Sequence, residues 1–119
     1  MLQIEGDVIR YRLSLLETIG AFGGEPTARI SNLVSVKSTD RPWRVEVMRG
    51  IRAPGTGFPF VIMLGTLRYR GGKDFCVVYK RNPVLILEFK DEKFTRWIIP
   101  ANPANLNLIS EIRKPEALD

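Results

Sequence analysis

Val84-Leu85-Ile86-Leu87-Glu88-Phe89, followed by Lys90-Asp91-Glu92-Lys93 and Phe94-Thr95-Arg96-Trp97-Ile98-Ile99, is the stretch whose reading decides the fold. The first six residues are the most strand-like hexapeptide in the chain. The four charged residues after them make a turn. A connection that short returns the chain antiparallel, because parallel neighbours need a crossover of a dozen or more residues. Phe94 to Ile99 therefore reads as a strand pairing back.

Working outward, the same grammar repeats. Lys80-Arg81-Asn82-Pro83 is a turn. Asp74 to Tyr79 is a strand with Phe75, Val77 and Tyr79 inward. Arg70-Gly71-Gly72-Lys73 is a hairpin turn, since adjacent glycines supply the positive φ of a tight reversal. Phe60 to Leu64 is apolar on both faces. Leu67 and Tyr69 then alternate with Arg68 and Arg70, and Gly65 marks a bend or bulge between the two halves. Three or four consecutive strands on short turns make an antiparallel meander.

The flanks extend the pattern. Val8 to Leu15 alternates Ile9, Tyr11, Leu13 and Leu15 against Arg10, Arg12 and Ser14, after a Gly6-Asp7 turn. Leu15 to Gly24 has apolar residues at helical spacing and a double-glycine stop, which predicts one or two helical turns. Extended chain resumes at Glu25-Pro26, breaks at Ser31-Asn32, and continues as the β-branched run Leu33 to Ser38. Thr39-Asp40-Arg41-Pro42 is a turn, and Trp43 to Met48 is a further extended piece. At the far end Asn102 is a helix N-cap with Pro103 in the first turn. Leu106, Ile109 and Ile112 recur at helical spacing up to Pro115, which predicts a helix over Pro103 to Lys114 and a frayed tail over Glu116 to Asp119.

A chain of 119 residues is one domain, residues 1–119, with its core over about residues 6–114. Hydrophobic residues make up 45% and charged residues 26%, enough apolar material for a core without staples. The single cysteine, Cys76, excludes an internal disulfide and a cysteine-cluster metal site. There is no histidine, so a Ser-His-Asp or Cys-His nucleophile is impossible within the chain. Neither cofactor nor metal is implied. Net charge is +5 and the pI is near 9.7, a balance that favours anionic partners or serves solubility. The start, Met1-Leu2-Gln3-Ile4-Glu5, lacks the basic-then-apolar pattern of a signal peptide, and the longest apolar run, Phe58 to Leu64, is too short to span a bilayer. The expected compartment is the cytoplasm.

About seven short strands followed by one amphipathic helix is the order of a strongly bent sheet plugged by a final helix. The chain resembles the bacterial pleckstrin-homology-like (PH-like) domains, a group of small, mostly uncharacterised proteins. The resemblance rests on Arg49-Gly-Ile-Arg52-Ala-Pro-Gly-Thr-Gly57-x-Pro59, on Gly65-Thr66, on the Gly-Gly hairpin before Asp74-Phe75, on the strand Val84 to Phe89 and on the Asn102-Pro103 helix. It spans about Gly6 to Ile112. It implies a mainly β fold: a PH-like barrel of about seven antiparallel strands capped by a C-terminal α-helix. Such barrels host lipid binding, peptide binding and oligomer assembly, so fold alone does not choose among these. Lipid-binding members use basic residues between the first two strands, and here Leu16 to Pro26 contains no lysine or arginine.

Two groups carry the candidate chemistry. In the Gly/Pro-rich segment Arg49 to Pro59, Gly55, Thr56 and Gly57 let backbone N–H groups approach an oxyanion, while Arg49 and Arg52 supply charge. The segment is neither a P-loop nor a dinucleotide fingerprint; its structural alternative is a tight crossover shaped by glycine and proline. Around the Gly-Gly hairpin, Arg68, Arg70 and Lys73 form a basic rim, which also protects strand edges from aggregation. Exposed aromatics for stacking bases are not evident, which disfavours nucleic acid. Glu46, Asp74, Glu88 and Asp91-Glu92 offer no acid–base spacing, and Cys76 reads as inert. The expectation is a non-enzymatic binding or assembly module. Its partner is itself, through strand edges, or another protein. The alternative is an anionic ligand or membrane surface bound through the basic Gly/Pro-rich segment.

Overall fold

The computed structural model describes residues 1–14, 25–43, 47, 51–58, 62–69 and 71–118, with backbone only for 51–58 and 62. The helical turns expected over Leu15 to Gly24 lie outside these residues, as does most of Trp43 to Met48.

The described chain is mainly β, in two sheets. The smaller holds β1 (Leu2–Glu5), β2 (Val8–Tyr11) and β3 (Thr27–Arg29), all antiparallel neighbours. Gly6, at φ +60°, turns β1 into β2 at the expected Gly6-Asp7 position. The break at Ser31-Asn32 is a 3₁₀ turn over Ile30–Asn32. It leads into β4 (Leu33–Thr39), which starts the larger sheet.

That sheet continues with β5 (Ile51–Phe58), β6 (Ile62–Tyr69), β7 (Gly72–Tyr79), β8 (Val84–Phe89) and β9 (Arg96–Pro100). After helix α1 (Pro103–Ser110) comes β10 (Glu116–Ala117), and the spatial order is β10-β4-β8-β9-β7-β6-β5. The β6–β7 and β8–β9 hairpins form as the turns require. The continuous antiparallel meander does not. β9 lies between β7 and β8, and it runs parallel to β7 with Asp74 opposite Arg96, Phe75 opposite Trp97 and Cys76 opposite Ile98. The β8 hairpin serves as the crossover that parallel pairing needs. The sheet is therefore mixed, not all antiparallel, and among the described residues no pairing closes it into a ring.

Alternation along β7, β8 and β9 explains why both faces are apolar. Phe75, Val77, Leu85, Leu87, Phe89, Trp97 and Ile99 belong to the main core. Leu2, Ile9, Tyr11 and Ala28 of the smaller sheet pack on it from above. Cys76, Val78, Val84, Ile86 and Ile98 point the other way, into a second cluster with Val47 and Leu67. Fully burying a side chain such as Leu87 contributes about 1.5–3 kcal/mol.

The helix is shorter than the predicted Pro103 to Lys114. It ends at Ser110, with Glu111-Ile112 in a closing turn. Asn102 caps it by accepting from the Asn105 backbone N–H at 2.8 Å. Ile109 is buried, while Leu106 and Ile112 are half-buried against the main core. The other inward residue is polar: Asn105 is fully buried. Its Oδ1 accepts from the Leu2 N–H at 3.0 Å, and its Nδ2 donates to the Pro100 carbonyl at 2.8 Å. One amide thus joins β1, the end of β9 and α1. The expected frayed tail is also corrected: Glu116 and Ala117 pair in parallel with Lys37 and Ser38 of β4. Replacing Asn105 by alanine strands the buried Leu2 N–H and the partly buried Pro100 carbonyl, so Asn105→Ala is expected to lower unfolding free energy by about 2–3 kcal/mol, read as an earlier urea midpoint at unchanged slope.

Candidate functional site

The Arg49 to Pro59 segment reads as a loop in sequence, yet its centre is strand. Ile51–Phe58 pairs antiparallel with β6: Ile51 opposite Arg68, Arg52 opposite Leu67, then Gly55, Thr56 and Gly57 opposite Gly65, Leu64 and Met63. The register shifts between Arg52 and Gly55, where Ala53-Pro54 sits. Proline has no N–H to give a ladder, which suits a bulge on the outermost strand. Gly65, at φ +127°, pairs with Gly55 at the end of the shift; the irregularity lies in β5, while β6 pairs regularly with β7 through Gly65. Gly55, Thr56 and Gly57 therefore occupy ladder positions. Arg49 lies outside the described residues.

The basic rim is drawn together by the topology. Arg68 is exposed and stands opposite Lys73. The Thr95 N–H donates to the Lys73 carbonyl at 2.8 Å, and the Phe89 N–H to the Thr95 carbonyl at 2.8 Å. These bonds clamp the β8–β9 turn against the start of β7. Phe94, 4% exposed, is caught between two lysines. Lys73 Nζ lies 5.4 Å from its ring centroid and Lys93 Nζ 5.5 Å. Each such contact contributes about 0.5–1 kcal/mol when exposed, and the alkyl stems cover the ring. Gly72 is fixed by this junction. Its φ is +155°, and an added Cβ would stand 2.6 Å from Thr95 Oγ1. Lys93 was not among the sequence-derived candidates. It is twenty residues from Lys73 in sequence, and only the parallel β7–β9 pairing makes them neighbours. Arg70 lies outside the described residues.

A second group is buried beneath the rim. Arg96 Nε and Nη2 donate to Asp74 Oδ2 at 3.0 and 2.6 Å. Nη2 also donates to the Val47 carbonyl at 2.9 Å, and Tyr69 Oη donates to Asp74 Oδ1 at 3.1 Å. Asp74 is 0% and Arg96 7% exposed. The sequence did carry a signal for Arg96: a lone charge within Trp-Ile-Ile needs a partner, and Asp74 in Phe-Cys-Val-Val is the complementary anomaly. This carboxylate is held as an ion pair. The neighbouring Cys76 thiol is pushed up from its ordinary 9.0 to about 12, by burial first and the Asp74 charge second. Glu92 is likewise structural, accepting at Oε2 from the Arg29 N–H at 3.0 Å and from Asn32 Nδ2 at 2.6 Å. Among the described residues no cluster of acidic, cysteine or histidine side chains is placed to hold a metal ion.

Between the two sheets runs a groove of about 700 Å³, edged by Tyr11, Leu13, Tyr79, Asn82, Pro100 and Asn102. Glu25 pins one end, accepting from the Leu13 N–H at 2.9 Å and from Arg12 Nε at 3.2 Å. Among the described residues no helix is long and apolar enough to cross a membrane. No protein-family model matches the chain, and searches of curated proteins and of solved structures also find no match.

Burial of Cys76 has a readable consequence. The thiol is expected to resist iodoacetamide at pH 8 in the folded protein and to react once urea unfolds it. A raised folded pKa contributes stability below the unfolded value near 9.0 and loses it as pH climbs from there toward about 12. Stability should fall by up to about 1.4 kcal/mol per pH unit across that window, and the Cys76→Ala variant should lose that component.

Proposed function

We propose that this protein is a non-enzymatic binding or assembly module on a PH-like scaffold, and that it self-associates through the edges of its larger sheet. The observation that carries this is the pair of unequal sheet ends. Among the described residues, β5 terminates one side with eight residues, and β10 covers the other with only two. A terminal strand presents a row of backbone donors and acceptors that a second chain satisfies. The buried ionisable groups support the non-enzymatic reading: Asp74 and Arg96 neutralise each other, and Cys76 is held as a neutral thiol. For the PH-like scaffold speak the run of short strands closed by a capped helix and the packing of Ile109 into the main core. A PH-like description has to accommodate the parallel β7–β9 pair.

Light scattering after size exclusion tests association. Molar mass should rise with concentration toward a dimer. Thr56→Lys, placing like charges across the β5 edge, should weaken association by about tenfold or more. A strict monomer at high concentration contradicts the proposal.

A second reading is favoured by the rim: Lys73 and Lys93 bracket one aromatic ring, and Arg68 stands opposite Lys73 across the β6–β7 ladder. Such a group suits an anionic membrane surface. Flotation with vesicles containing anionic lipid should show binding that weakens from low to high salt. With about 1 kcal/mol per lysine at an anionic surface, Lys73→Ala/Lys93→Ala should lose about thirtyfold in partitioning. Salt-independent binding, or an unaffected double variant, removes this reading.

A further inference from the structure

The smaller sheet has an outer face that neither the association edges nor the basic rim uses. A pocket of about 290 Å³ opens there, bordered by Gln3 and Glu5 of β1 and by Val8 and Arg10 of β2. Alternation puts all four on that face, because Leu2, Ile9 and Tyr11 point into the main core. Register sets their arrangement: Gln3 stands opposite Arg10 and Glu5 opposite Val8. Glu5 and Arg10 are thus diagonal neighbours, a relation that spans about 7–8 Å. Long side chains can meet across such a diagonal, yet these two do not. Among the described residues neither the Glu5 carboxylate nor the Arg10 guanidinium has a hydrogen-bond or ion-pair partner. Arg10 is nevertheless half-buried, on the middle strand between the neutral Gln3 and Thr27. Arg29 stands beside Val8 on β3, outside the pocket.

We propose that this pocket binds a small zwitterion of the α-amino-acid type. The ligand carboxylate meets the Arg10 guanidinium, whose planar fork suits two carboxylate oxygens, and the Gln3 amide adds a neutral donor beside it. The ligand ammonium meets the Glu5 carboxylate. A short apolar substituent covers Val8, which is 37% exposed. Charge makes the selection. Glu5 opposes a ligand that is only an anion, and Arg10 opposes one that is only a cation; a ligand carrying both charges is opposed by neither. Size agrees, since the pocket lies at the lower end of the about 300–1,000 Å³ that ligand sites span. The platform is fixed as well. β2 is paired on both sides, and the Asn105 amide holds the Leu2 N–H of β1. The two charges are therefore presented from rigid strands. This site belongs to the smaller sheet and stands independently of association through the larger one.

The test titrates the full chain, labelled with ¹⁵N, with L-alanine and follows the backbone amides by NMR. Shifts should cluster at Gln3, Glu5, Val8 and Arg10, with a dissociation constant of about 1 mM for so small a ligand. Propionate and ethylamine, which each carry one of the two charges, should bind at least about tenfold more weakly. Arg10→Gln and Glu5→Gln should each weaken L-alanine binding by about tenfold or more. The exchanged variant Glu5→Arg/Arg10→Glu keeps both charges and should bind within about threefold of the unsubstituted chain, which separates a lost charge from a lost fold. Shifts that cluster elsewhere, or none up to about 0.1 M L-alanine, overturn the site. Propionate binding as tightly as L-alanine, or an unaffected Glu5→Gln variant, overturns the zwitterion.

Discussion

The buried pair of Asp74 and Arg96 is the interaction on which the rest of the larger sheet depends. Two N–H donors of the guanidinium meet one carboxylate oxygen, at 2.6 and 3.0 Å, with almost no water. Desolvating either charge alone costs several kcal/mol, and removing one partner of such a pair typically costs about 3–5 kcal/mol. The two residues are also register partners across the parallel β7–β9 ladder. A slip of β9 by one residue would send Arg96 to the opposite face, beside Phe75, and leave Asp74 buried without its partner. The pair therefore fixes which strand lies beside β7 and in which register. Through Nη2 and the Val47 carbonyl it also ties down a residue of the second cluster.

Once β9 is placed, much of the functional geometry follows. Its first residues carry the β8–β9 turn to the start of β7, and the Thr95–Lys73 bond locks the two together. Lys93 and Lys73 then bracket Phe94, and Arg68 stands across from Lys73. The basic rim is thus a by-product of the same strand order that buries the ion pair. A cluster of charge at the surface and a neutralised pair in the interior arise from one topological decision.

Local chemistry made most elements legible in the sequence. The Gly6-Asp7 turn, the Ser31-Asn32 break, the strand Val84 to Phe89 and the Asn102 cap all depend on neighbours within a few residues. Strand order does not. A four-residue turn dictates that β9 pairs with β8, but no short-range rule says that β7 lies on β9's other side. The glycines and proline of Ile51–Phe58 point to a loop, because composition cannot distinguish a loop from a bulged outer strand. Glu116-Ala117 is too short to carry a periodic signal at all. The rim was half legible: Arg68 and Lys73 flank a visible turn, whereas Lys93 reaches them only through long-range pairing. Arg96 was legible only as an anomaly, a charge where alternation demands an apolar residue.

The amide of Asn105 also sets a timetable. Leu2 leaves the ribosome well before its partner, because its N–H is satisfied by a side chain 103 positions later. The β1–β2 hairpin is built from local contacts, but one of its backbone groups waits until Asn105 has been synthesised. The same amide closes on Pro100, which itself follows the last central strand. Completion of the main core is thereby deferred until α1 has been made, after β7 and β9 have both been synthesised. A nascent chain interrupted before α1 carries an unfinished small sheet with Leu2, Ile9 and Tyr11 exposed. That makes the interval before residue 105 the one in which this protein most needs protection from its neighbours.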